Sequence, residues 1–253
     1  MYQAKGGIFA GDLLLDVLDA NGAQTGERDV GETVTLTIDP MKITQKQRFG
    51  HRLENHGDII GTVITGKPQS LKFSLGDHTQ KNRALAAFGD DVVINVAAAT
   101  ITSENVVARL GKAVKLSKMK LKTGADAPVV KDAATGLITY VEGVDYEIDY
   151  TFGMITALAG GAITEAEALH VDFKCNAYTG YNITAATKSG IDVLLRLRGK
   201  NLETGKYGML IVYKAALTPT GSVDFITEDY KNLDFSADIK NVGGKTWEFI
   251  ELD

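Results

Sequence analysis

A glycine-containing stretch that ends in lysine is the part of this sequence closest to a phosphate-binding loop. Residues 61–67 read Gly-Thr-Val-Ile-Thr-Gly-Lys, the spacing of a nucleotide-binding P-loop. Pro68 stands where that loop needs a Ser or Thr hydroxyl for magnesium, and the following Ser70 to Leu75 alternates like a strand instead of continuing as a helix. Gly66, Lys67 and Pro68 therefore indicate the turn of a β-hairpin, and we expect no nucleotide site.

The histidines and the cysteine do not have the spacing of a metal site or of an activated nucleophile. His51 and His56 lie five residues apart, without a third ligand at metal-binding spacing. The single cysteine, Cys175, follows the alternating segment 171–174, so we interpret it as a small strand residue. We therefore predict no catalytic residue, no metal site and no cofactor, and we expect that the protein is not an enzyme.

Acidic residues are concentrated in two places. Asp145, Glu147 and Asp149 alternate along one segment, which predicts a solvated strand face. The stretch 219–240 carries five acids against two lysines; the acids are Asp224, Glu228, Asp229, Asp234 and Asp238. Two interpretations of that stretch stay open, namely an exposed sheet face and a contribution to an acidic lumen or subunit contact.

A basic segment in an otherwise acidic chain is a further candidate contact. Residues 42–57 carry four Lys or Arg against Glu54, a formal charge of +3, whereas the whole chain carries −5. The segment is polar and short of core residues, which indicates a long loop or a protruding hairpin. Such a segment can meet the acidic surface of an identical neighbour head to tail. The candidate contact residues are Lys46, Arg48, His51 and Arg52. The alternative is a mobile hairpin without a partner.

The elements that position these residues are predicted to be strands. Runs of five to eight residues rich in Val, Ile and Thr recur between Gly, Asp and Asn, and Thr33–Ile38 alternates strictly before Asp39-Pro40. One short helix is expected, with Asp77 as its N-cap and Gly89 at its end. The fold class is therefore all-β with one short helix, arranged as a β-sandwich or a barrel-forming sheet.

Composition limits the classes of partner. Hydrophobic residues make up 44% and charged residues 23%, as in ordinary globular proteins. A net charge of −5 gives no basic surplus for gripping nucleic acid, although a mildly acidic wall would let DNA slide past. Residues 1–5 lack an apolar signal core and no window approaches eighteen apolar residues, so we expect no membrane segment and a cytoplasmic site of synthesis.

A change of pattern near residue 112 predicts an inserted module. Lys118, Lys120 and Lys122 alternate with apolar residues, which predicts a strand with one charged face. Further short strands are expected up to residue 178, enough for a small β-rich module. The predicted domains are therefore 1–112 with 179–253, and the insertion 113–178.

The closing part of the sequence resembles a known family. From Tyr207 to Phe235 it contains a long strand, the turn Pro219-Thr220-Gly221, a short strand over Ser222–Thr227, the acidic and aromatic Glu228-Asp229-Tyr230, and a last core strand. This order is similar to the end of the major tail tube proteins of long-tailed, siphophage-like bacteriophages. The N-terminal half, with its hairpin, basic loop, paired strands and helix, is similar as well. Residues 142–156 resemble a β-motif of phage structural proteins, but the 113–178 insertion departs from the minimal family pattern.

The resemblance implies a structural role in a virion. Tail tube subunits form hexameric rings that stack into a tube, and the sheets of neighbours join into an inner barrel. The resemblance therefore implies homo-oligomers, contacts with a tape measure protein and with tail terminator and distal tail proteins, and a lumen that DNA crosses without specific binding. It also implies location in the phage tail after assembly in the bacterial cytoplasm.

Two other classes remain as alternatives. The first is another tail or baseplate component, or the tube of a contractile injection machine. The second is a carbohydrate-binding β-sandwich on a virion surface, which should expose aromatic side chains on its loops. Aromatic residues make up 8% of the chain and lie mostly within the predicted strands, which favours the tube.

Overall fold

The computed structural model describes residues 8–41, 43–66 and 69–252. These residues form antiparallel strand pairs and one α-helix, which confirms the all-β class with a single short helix. The chain divides into two compact units. The first unit contains Met1–Val92 and Ile183–Asp253, and the second contains Val93–Asn182.

The elements follow one another closely along the chain. Up to residue 96 they are β1 Phe9–Val17, β2 Arg28–Asp29, β3 Thr33–Asp39, β4 Ile43–Phe49, β5 Ile59–Gly66, β6 Ser70–Leu75, α1 Gln80–Ala86 and β7 Asp90–Val96. The next are β8 Ala99–Val107, β9 Ala113–Lys115, β10 Val129–Asp132, β11 Tyr146–Asp149, β12 Met154–Ala157 and β13 Ala168–Cys175. The last are β14 Tyr178–Thr184, β15 Ile191–Asn201, β16 Tyr207–Pro219, β17 Leu233–Ile239 and β18 Trp247–Leu252.

The first unit is built on an eight-stranded sheet. Its order is β2-β1-β15-β16-β17-β6-β3, and β18 also pairs with β16. Buried and less buried residues alternate strictly along β6 and β17, so each strand buries one face. In β6 the buried residues are Leu71, Phe73 and Leu75. These side chains share one hydrophobic core with Leu13 and Leu195 from β1 and β15. The burial of such apolar faces is the main favourable term in folding.

The N-cap of the helix lies two residues later than predicted. Thr79 is the N-cap, and its hydroxyl accepts a hydrogen bond from the Asn82 amide at 3.3 Å. The prediction of Asp77 as N-cap is therefore wrong, because its carboxylate instead accepts from the Glu32 amide at 3.0 Å. Gly89 does close the helix, since its amide donates to the Ala84 carbonyl at 2.9 Å.

Segment 42–57 adopts the hairpin alternative. β4 pairs with β5 from Ile43 opposite Gly66 to Phe49 opposite Ile59, while Lys42 lies outside the described residues. β5 and β6 belong to different sheets, since β6 pairs with β3 and β17. The prediction of a hairpin turn at Gly66-Lys67-Pro68 is therefore wrong, although Lys67 and Pro68 themselves lie outside the described residues.

The second unit contains two three-stranded sheets, β10-β13-β8 and β11-β12-β9. Alternation along β13 buries Leu169, Val171 and Phe173, which share a core with Val130 and Ile155. This unit starts at Val93, earlier than the predicted boundary at 113, and it includes β8, which pairs with β13 from Ala168 opposite Val107 to Cys175 opposite Ala99. Cys175 is buried at the end of β13, as expected for a small strand residue.

Three further local predictions are wrong. Residues 118–122 are not a strand, because Lys120 has a φ of 54° and only Leu121 forms an isolated bridge, to Cys175. Ser222–Thr227 is irregular as well. Asp145 is buried instead of lying on a solvated face, because its carboxylate supports backbone turns.

Candidate interaction surfaces

The β4–β5 hairpin has two chemically different faces. Directly opposite residues of an antiparallel pair point to the same side of the sheet. Lys46 opposite Val63 and Arg48 opposite Gly61 therefore form a basic face. Gln45 opposite Ile64 and Gln47 opposite Thr62 lie on the other side, which carries no charge. The second face is called the uncharged face below.

Apolar side chains on this hairpin are open to solvent. Every described residue of β4 and β5 is exposed, and Ile64 keeps 63% of its surface. Ile43, Phe49 and Ile59 are also exposed. A two-stranded hairpin is marginally stable by itself, and exposed apolar patches commonly mark sites of protein association. The hairpin therefore has the properties of a surface that is covered by a partner.

The hairpin tip brings the remaining basic candidates together. The Gly50 amide donates to the Asp58 carbonyl at 2.7 Å, and residues 51–57 form the turn beyond that closure. Arg52 and a fully exposed Leu53 lie in this turn. The His51 and His56 rings are 6.2 Å apart, and within the described residues no group of three His, Cys, Asp or Glu is placed to hold a metal ion.

The five acids of stretch 219–240 fall into two groups. Asp234 and Asp238 lie on the exposed face of β17, where Asp234 accepts a hydrogen bond from Ser74 Oγ at 2.6 Å. Asp224, Glu228 and Asp229 lie on the connection between β16 and β17 and are exposed. The structure therefore does not place all five in one cluster.

The connection between β16 and β17 is fixed at its ends and exposed in its middle. The Thr220 amide donates to the Asp234 carbonyl at 2.9 Å, and Val223 packs against the core. Further along, the His78 ring bonds the Lys231 carbonyl at 2.7 Å. Residues 224–230 between these anchors are exposed throughout and are called the acidic connection below.

Three large apolar side chains of the acidic connection point into solvent. Phe225 is 86% exposed, Ile226 98%, and Tyr230 is fully exposed. Sequence reasoning missed them, because a strand over Ser222–Thr227 would have turned alternate residues inward. The sequence feature that indicates an exposed segment here is the mixture of apolar and acidic residues without alternation in Phe225–Tyr230.

The P-loop-like residues do not form a phosphate cradle. Gly61 to Gly66 are all part of β5, and their backbone groups pair with β4. A phosphate-binding loop instead needs successive amides that converge on one anion. The glycine spacing therefore has no nucleotide-binding geometry.

A shallow apolar cleft lies elsewhere on the first unit. It has a volume of about 570 Å³ and is lined by parts of β1, β15, β16 and β18. Tyr207, Met209, Ile250 and Leu252 supply its apolar wall, since pairing places them on one face of the sheet. This cleft is a second exposed apolar surface of the unit.

Carboxylates of the second unit support turns. Asp145 accepts from the Ala162 amide at 2.7 Å and from the Val141 amide at 2.8 Å, and these bonds lower the pKa of its carboxyl. Asp132 bonds the amide and hydroxyl of Thr135, which lowers its pKa as well. Burial and a hydrogen bond to Glu167 raise the pKa of Tyr140 to about 12. The bonds of Asp145 and Asp132 therefore hold backbone turns in place.

The fold and these surfaces define an all-β protein whose most distinctive features are exposed surfaces suited to association. The chain belongs to the family described as "Protein of unknown function UCP028589", whose model matches residues 7–245 and so runs through both units. A search of curated proteins found no match. Within the described residues, no helix is long and apolar enough to cross a membrane.

Proposed function

We propose that this chain is the major tail tube subunit of a long-tailed bacteriophage. Its copies form hexameric rings, and the rings stack around a lumen that conducts DNA during ejection. The observation that carries the proposal is the β4–β5 hairpin, whose described residues are all exposed and which has one face without charge. Together with the sequence resemblance, such a hairpin favours a subunit that completes its packing on identical neighbours.

The energetics of the hairpin support self-association. Ile43, Phe49, Ile59 and Ile64 keep between 46% and 63% of their surface exposed in the monomer. Covering them would remove apolar surface from water at about 25 cal/mol per Å². On the uncharged face, Gln45, Gln47 and Thr62 can also form hydrogen bonds with polar groups of a neighbouring subunit.

The charge of the chain is compatible with a DNA conduit. A net charge of −5 disfavours tight binding to the phosphate backbone of DNA, so DNA would pass through the lumen without specific binding. In this proposal a tape measure protein occupies the lumen before ejection, and tail terminator and distal tail proteins bind the two ends of the tube. The protein then resides in the virion, with no enzymatic step and no cofactor.

Electron microscopy of the purified protein tests the proposal. Negative staining should show rings or tubes at high concentration, and sedimentation should show large particles. A variant in which residues 44–65 are replaced by a short Gly-Ser linker should remain folded and monomeric, because the hairpin contributes nothing to the core of the first unit. A wild-type chain that stays monomeric under all conditions would contradict the proposal.

A carbohydrate-binding surface protein is the second candidate. Phe225 and Tyr230 are exposed on a connection, which is the feature expected of that class. Aromatic faces stack on sugar rings, so a glycan array should give binding that Phe225→Ala with Tyr230→Ala abolishes. A chain that assembles into tubes and binds no glycan rules this candidate out.

A further inference from the structure

We propose that the acidic connection is a docking surface for the basic face and tip of the hairpin of a second copy of this chain. This inference rests on the proposed function, because it names the partner surface for a subunit that associates with itself. It concerns a different face of the hairpin from the uncharged face that carries the proposed function.

The acidic connection exposes apolar area that a partner can cover. Phe225, Ile226 and Tyr230 project from a segment whose ends are fixed by the Thr220–Asp234 and His78–Lys231 hydrogen bonds. Since the ends are held, ordering this segment on a partner costs little conformational entropy. Leu53 at the hairpin tip and Val63 on its basic face are exposed apolar residues that can cover these side chains.

The charges of the acidic connection and of the hairpin are complementary, which favours a second copy of this chain as the partner. The acidic connection carries Asp224, Glu228 and Asp229, and the hairpin carries Lys46, Arg48 and Arg52 against one acid at its tip, Glu54. In the part of the chain that the structure describes, none of these seven residues forms an ion pair. Surface pairs are individually weak, but complementary potentials select partners and orientation. Both surfaces therefore have unmatched charge of opposite sign.

The two surfaces are different, so the contact is heterologous. When one copy inserts its hairpin, its own acidic connection stays free for another copy. Repetition of this contact gives closed rings or open stacks, whereas a two-fold dimer would consume both surfaces. The contact thus explains how one chain could propagate an assembly in one direction.

Charge reversal on each surface tests the inference. We expect Arg48→Glu with Arg52→Glu, and separately Glu228→Lys with Asp229→Lys, to remain folded, because all four residues are exposed. Each variant should raise the concentration needed for assembly about tenfold or more. The wild type should also assemble less readily when salt rises from about 0.05 M to about 0.5 M.

Mixing the variants gives the sharper result. In an equimolar mixture, the reversed hairpin of one variant meets the reversed connection of the other, so assembly should return with the two alternating. The matched control for the connection variant is Glu147→Lys with Glu203→Lys, which makes the same change in net charge at two exposed acids elsewhere and should assemble like the wild type.

The outcomes separate the two proposals. Wild-type tubes, together with unaltered assembly of the connection variant, overturn the docking surface and leave the proposed function standing. If both variants lose assembly and the mixture does not recover it, the proposed contact between the hairpin and the acidic connection is overturned as well. A wild-type chain that never associates overturns the proposed function, and this inference with it.

Discussion

The rings of Phe73 and Phe235 stack across neighbouring strands, with centroids 4.9 Å apart and planes inclined by 14°. The two residues are directly paired in the register of β6 and β17. One precedes the second unit in the chain and the other follows it, so this contact joins the two sequence segments of the first unit. Both rings are almost completely buried.

Truncation of this stack should destabilise the first unit strongly. Phe235→Ala removes a buried ring and leaves a cavity against Phe73, so we expect a loss of about 3–5 kcal/mol in the free energy of unfolding. Denaturant unfolding followed by the fluorescence of Trp247, the one tryptophan of the chain, measures this change in the same unit. Phe225→Ala is the matched control, since its ring is exposed, and its effect should stay within about 0.5 kcal/mol. Equal effects of the two substitutions would contradict the packing.

The second unit should be removable along its structural boundary. Replacement of residues 93–182 by a short Gly-Ser linker should leave a folded remainder, because the core of the first unit draws on residues outside this range. Circular dichroism and the cooperativity of thermal unfolding measure the outcome. An unfolded product would show that the first unit depends on the second.

A deletion at the boundary predicted from the sequence should behave worse. Removal of 113–178 takes away β13 but leaves β8, which then lacks the strand it pairs with. Its apolar residues Ile101 and Val106 would lose their cover, and an unpaired edge promotes aggregation. Size-exclusion chromatography of the two deletions should therefore show more aggregate for 113–178 than for 93–182. The reverse order would favour the boundary at 113.

A methyl group at Gly199 should separate two central strands. A Cβ there would lie 2.5 Å from the Ala10 carbonyl oxygen across the β1–β15 pair, so the backbone must shift. We expect Gly199→Ala to cost about 1–3 kcal/mol. Gly180→Ala is the control, because a Cβ at that position meets nothing within 4 Å. Thermal unfolding midpoints compare the two variants, and unchanged stability of Gly199→Ala would contradict this close approach.

Acid should weaken the second unit through Asp145. Its pKa in the folded protein is lowered by hydrogen bonds from the Ala162 and Val141 amides. The bonds therefore stabilise the fold above the unfolded pKa of about 3.9, and this contribution is lost as the pH falls through the lower folded value. Asp145→Asn should be less stable than the wild type at neutral pH, and the difference should shrink in acid. Unfolding curves at several pH values measure it, with exposed Glu147→Gln as control. A pH-independent difference would contradict the role of the charge.

The sequence by itself determined the local periodicities. Alternation in β3, β6 and β17 predicted strands that the structure contains, and the short helix ending near Gly89 was visible from its composition. The candidate basic residues also proved to lie together, because they are close in sequence and occupy one hairpin. Period-two patterns and turn residues act over a few positions, so they can be recognised without the fold.

Tertiary structure decided which strands pair and which segments stay irregular. Nothing local distinguishes β5 pairing with β4 from β5 pairing with β6, since either choice satisfies its alternation. Lys118–Lys122 alternates as a strand would, yet Lys120 has a left-handed φ and its backbone amide and carbonyl bond to Thr151 and Asn176, which are distant in sequence. The exposed acidic connection likewise follows from anchors at Thr220 and Lys231, whose partners Asp234 and His78 are brought together only by the sheet. Pairing between distant segments depends on the free energy of the whole core, and a short stretch of sequence does not contain that information.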